Sequence, residues 1–144
     1  MTNTTNKPNV GFWIIGVVAL LWNLLGVDGF IGQALMSDRF KTMYTEVQLE
    51  VISNLPSWYI IVFGIAVIAS AIACIMMLMK KKIAVQLFQL GLLAVLIQTS
   101  YNLFVNEGRY AYGPFEYSML ILIPAVAVLL LLYSKSALKK GWLF

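Results

Sequence analysis

The chain has no histidine, a single cysteine, and only ten basic and six acidic residues in 144. Without histidine it lacks the commonest metal ligand and the usual general base near neutral pH. The lone Cys74 excludes a disulfide framework and a redox pair. No HExxH, GxSxG or P-loop pattern is present. Gly26, Gly29 and Gly32 lack the strand and the spacing of a dinucleotide fingerprint. Glu107 and Glu116 on one loop are too weak a pair for acid–base catalysis. The expectation is a non-enzymatic protein with no catalytic residue, metal site or cofactor.

What the chain has instead is apolar mass. It is 61% hydrophobic and 11% charged, with a mean hydropathy of +0.86. A water-soluble domain of this size cannot bury so many apolar side chains, whereas lipid can cover the outer faces of helices. Lys80, Lys81 and Lys82 organise the rest: three adjacent ammonium groups cannot stay in hydrocarbon, so they mark one membrane surface and make the flanking runs spans. The reading is all-α, a single domain formed as an antiparallel bundle of four membrane helices. The spans cover about 11–34, 56–79, 83–104 and 116–133. For the first run a cleavable signal peptide competes, because Gly32-Gln33-Ala34 resembles a processing site. The length of the run and Asp28 just before that site favour an uncleaved helix. Pro56 is placed in the first turn of the second span, and Pro124 kinks the fourth.

Residues 38–55 form the one long polar connection. Phe40, Tyr44, Val47, Val51 and Leu55 recur at helical spacing, and Thr45 with Gln48 suits a capping box. A short amphipathic helix or two is expected on the outer surface, either lying along the membrane or closing the bundle mouth as a lid. Seven cations (Lys7, Lys80 to Lys82, Lys135, Lys139, Lys140) fall on one side and three (Arg39, Lys41, Arg109) on the other. This bias puts both termini in the cytoplasm. It also explains the net charge of +4 without nucleic acid as a partner.

Small residues mark helix contacts: Gly16 and Gly26 on the first span, and Ala66, Ser70 and Cys74 on the second. Polar groups within spans need a partner or a task. Asn23 shares a face with Gly16, Ala19 and Gly26, which suits a bond between packed helices. Asp28, Gln33, Gln98, Tyr101 and Asn102 could together line a pocket opening outward, with Arg109 or Arg39 as counter-charge to Asp28. The competing reading hydrates Asp28 near the interface and leaves the amides to routine interhelical bonds. Arg109, Tyr110 and Tyr112 suit a ligand or partner surface, or an interfacial aromatic belt.

The run Leu21-Trp22-Asn23-Leu24-Leu25-Gly26-Val27-Asp28, with Leu55-Pro56-Ser57-Trp58 and the basic turn at Lys80, resembles a family of short four-helix bacterial inner-membrane proteins. Some of these carry the label "sugar transporter". The resemblance implies a bacterial inner membrane and singles out Trp22, Asn23, Gly26 and Asp28. Two functions follow as expectations. One is a binding or accessory module for lipid, a small ligand or a larger membrane assembly. The alternative is a small homo-oligomeric transporter, proton-coupled through Asp28.

Overall fold

The computed structural model describes residues 7–144, apart from the side chains of Glu107 and Arg109. The elements are α1 (Val10–Leu35), α2 (Asp38–Thr42), α3 (Glu46–Ser53), α4 (Ser57–Leu78), α5 (Ile83–Phe104), a 3-10 turn (Glu107–Ala111) and α6 (Pro114–Lys139). There is no strand among the described residues. Helices α1, α4, α5 and α6 are long and apolar enough to cross a bilayer. The architecture is that of a multi-pass membrane protein.

The third span has the expected limits, and the others differ by local chemistry. Helix α1 starts at Val10 because Asn9 caps it, its side-chain oxygen accepting from the Phe12 amide at 2.9 Å. Pro56 stands just outside α4 rather than in its first turn. Helix α6 begins at Pro114, where the Glu116 carboxylate accepts from the Gly113 amide at 2.9 Å. It then continues past the expected end at 133 to Lys139, as one helix through Pro124. The expectation stopped where hydropathy falls, but nothing in the backbone chemistry of residues 134–139 opposes a helix.

Three spans end in the same motif, with one residue in the left-handed region: Met36 (φ 47), Lys80 (φ 61) and Gly141 (φ 78). At each, two amides turn back onto the last helical carbonyls, as Lys80 to Met77 at 2.9 Å and Lys81 to Met76 at 2.8 Å. The triple-lysine turn is thus a helix stop made without glycine.

Helix α4 packs on both α1 and α5, and α5 packs on α6. Against α1, Asn23 meets Cys74, while a Cβ on Gly26 would come within 2.9 Å of Val67 and one on Gly64 within 2.8 Å of Phe30. Against α5, Gly91 lies on Ser70 and Ala66, and Asn102 meets Tyr59. Partners run in opposite order along both pairs, so α4 is antiparallel to α1 and to α5. The small residues of α4 thus divide between two neighbours, Ala66 and Ser70 toward α5 and Cys74 toward α1. Gly26, Gly29 and Gly32 do not unwind α1. They admit Val67, Phe63 and Phe40 respectively.

The two ends of the bundle differ. At the lysine end, Phe12, Met77, Phe88, Trp142 and Leu143 close an apolar core. The tail after Gly141 folds back, and the Phe144 amide donates to the Lys80 carbonyl at 2.9 Å. At the loop end, α3 lies against the 3-10 turn.

Candidate functional site at the loop end

The site grows from two asparagines one turn apart at the end of α5. The Asn102 amide donates to the Tyr59 hydroxyl of α4 at 2.7 Å. Its carbonyl oxygen accepts from the Tyr112 hydroxyl at 2.8 Å and from Asn106 at 3.1 Å. Asn106 also donates to Tyr112 at 2.9 Å and accepts from the Gly108 amide at 2.9 Å. Gln98 turns toward the same Tyr59 hydroxyl. Asn102 and Asn106 are each 5% exposed, and no described buried side-chain polar atom lacks a partner. A buried polar group is tolerable only when satisfied, and here each one locks the next.

Aromatic rings flank the network. Tyr101 sits edge-on to Trp58 at 5.2 Å between ring centroids and lies 5.5 Å from Tyr59. Tyr112 meets Tyr117 at 5.7 Å. Burial is the main cause raising the Tyr112 hydroxyl from 10.0 to about 12, and the neighbouring Tyr59 adds to it. The Tyr112 hydroxyl therefore stays protonated and able to donate its hydrogen bond to Asn102.

Helix α3 is the wall of the site, and its position follows from its cap. Thr45 and Gln48 form the expected capping box. The Gln48 amide then donates to the Ala111 carbonyl at 3.3 Å and to Glu116 at 3.0 Å. One side chain thus starts α3 and ties it to the second loop, residues 105–113 between α5 and α6. Gly108 is required here, because a Cβ would run into Val51 of α3. Burial, reinforced by the charge of Glu116, also raises the Tyr44 hydroxyl. Between α3, the end of α5 and the 3-10 turn opens a cleft of about 400 Å³. Val51, Asn54, Tyr101, Asn106, Gly108 and Tyr110 are among its lining residues.

The single pocket expected from the sequence divides into separate places. Gln98, Tyr101, Asn102 and Tyr112 come together at the loop end, and Tyr110 stands exposed at the rim of the cleft. Asp28 does not join them: it pairs with Arg39 of α2, and both side chains are largely exposed, at 58% and 71%. Gln33, half-buried near the end of α1, shares no hydrogen bond with the network among the described residues. Asn23 belongs to the α1–α4 seam, donating to the Ala19 carbonyl at 2.9 Å and to the Cys74 sulfur at 3.5 Å. The Arg109 side chain lies outside the described residues. Helical phase explains the division, since α1 turns its Asn23 face to α4 and leaves Asp28 on another flank.

No protein-family model, curated protein or solved structure matches this chain. The functional reading therefore rests on the loop-end geometry. Tyr59, Asn106 and Gln48 take part without having been expected. The four-residue step from Asn102 to Asn106 was the available signal. Tyr59 stands at the start of a span, where a tyrosine also suits an interfacial anchor. Among the described residues, no group of acids and cysteine could hold a metal ion.

Proposed function

We propose that this is a non-enzymatic protein of the bacterial cytoplasmic membrane that binds a small ligand in the loop-end cleft. The lysine end and both termini face the cytosol, as the seven-to-three bias of cations favours. The cleft then opens on the opposite surface. The observation carrying this reading is a cavity of about 400 Å³ set over a satisfied buried network. Its size falls in the range of small-molecule sites, and its lining mixes Tyr rings with a few amides. The hydrogen bonds beneath hold Asn106 and its neighbours in place before a ligand arrives, which lowers the ordering cost of binding.

Transport coupled to Asp28 has less support. Asp28 is paired on an exposed flank, and the lysine half of the bundle is filled by Phe12, Met77 and Phe88. Native mass spectrometry of gently extracted protein tests the binding reading. A small molecule should remain on the wild type and be lost from Asn54→Trp, which fills the cleft from its exposed edge. Retention by both proteins, or by neither, overturns the reading.

A further inference from the structure

The lysine end carries a charge pattern that the loop-end site does not use. Every cation there is a lysine, and all six acids of the chain lie elsewhere in sequence. The tail brings two groups of these lysines together. The bond from the Phe144 amide to the Lys80 carbonyl joins the end of the α6 segment, with Lys139 and Lys140, to the turn holding Lys80, Lys81 and Lys82. Burial of Trp142 and Leu143 holds that join in place. The Lys140 ammonium sits over the Trp142 ring at 4.7 Å. None of the other four has an ion pair or a side-chain hydrogen bond among the described residues, and Lys81, Lys82 and Lys139 are exposed.

Such a cluster repels itself, and among the described residues no acidic side chain pairs with it. Beside it, Met79, Ile83 and Leu138 expose apolar side chains where acyl chains would run. From this juxtaposition we infer that the lysine end binds the phosphate of anionic phospholipid head groups, with Lys81, Lys82 and Lys139 as its main contacts. Basic clusters at the end of a membrane span attract anionic lipid strongly enough for each lysine to change affinity roughly fivefold. The ammonium groups act as point charges and do not select one head-group shape.

The experiment titrates the detergent-solubilised protein with phosphatidylglycerol, phosphatidylcholine or inorganic phosphate, reading bound lipid by native mass spectrometry and stability by thermal unfolding. Phosphatidylglycerol should bind tighter than phosphatidylcholine and raise the unfolding midpoint. Lys139→Gln alone should weaken that preference roughly fivefold, and K81Q/K82Q/K139Q should abolish it. Lys41→Gln, at the loop end, should leave it intact. Lys139→Gln stands on an exposed helix position, so its result holds even if the triple variant fails to fold. Equal binding of the two lipids overturns the inference, as does a preference undiminished in Lys139→Gln. So does full reproduction of the stabilisation by inorganic phosphate, which would mark a site for free anions.

Discussion

The lysine end and the loop end solve the same problem in opposite ways. Each must close a bundle where lipid gives way to water. The lysine end does it with apolar packing, sealing Phe12 and Phe88 beneath a tail that places Trp142 5.6 Å from the Phe12 ring. Among the described residues there, the fully buried hydroxyl of Ser134 bonds locally to the Leu131 carbonyl at 2.8 Å. The loop end does it with hydrogen bonds across α4, α5 and the second loop, and it leaves a cleft. Apolar packing tolerates imprecision and fills space, while a buried polar network demands geometry and repays it with rigidity. A binding site gains from the second arrangement and an anchor from the first.

The sharpest break in this comparison is at the lysine end. Trp142→Ala should cost about 3 kcal/mol, since it leaves a cavity against Phe12 and removes the surface under Lys140. Denaturant unfolding in detergent measures it, and hydrogen exchange should rise in the tail while α3 keeps its protection. At the loop end, Asn102→Leu should cost about 2 kcal/mol, because three hydrogen bonds of membrane-protein strength go at once. Ser134→Ala, losing one local bond, should change stability by less than about 0.5 kcal/mol. If the two polar substitutions cost the same, the contrast between the ends fails.

A smaller effect has the opposite sign. Lys80 holds φ 61 without being glycine, so Lys80→Gly should stabilise the protein by about 1 kcal/mol, read as a higher unfolding midpoint. A pH slope is also expected from the loop end. The Tyr112 hydroxyl is raised from 10.0 to about 12 by burial, so the folded state holds that proton more tightly than the unfolded chain does. Its contribution is fully present below pH 10 and is lost as pH rises from 10 to about 12. Tyr112→Phe should flatten the slope in that window relative to wild type, whereas Ser134→Ala, at the lysine end and without a titratable group, should leave it unchanged.

The parts legible in advance were those set by local chemistry. Four spans follow from runs of apolar residues about twenty long. The small faces at Gly16, Gly26 and Ala66, and the Thr45–Gln48 box, follow from spacing along one helix. Less legible were the places where one residue type serves two roles. Tyr112 reads as part of a binding surface or of an interfacial belt, and Asp28 as a pocket acid or as one hydrated near the interface. The tail was the least visible, because Trp142, Leu143 and Phe144 after a lysine pair resemble an interfacial end as much as a plug.

By itself, then, the sequence determined that this chain is built of helices, four of them long and apolar enough to cross a membrane, with seven of its eight lysines gathered at one end. Hydropathy and backbone propensity act over a few turns and need no distant partner. Only the tertiary structure decided that Asn102 and Asn106 meet Tyr59 and Tyr112, that Asp28 turns to Arg39, and that the tail reaches Lys80. Each of those contacts depends on how helices are rotated against one another, and a turn of 100° per residue carries no record of which neighbour a face will meet.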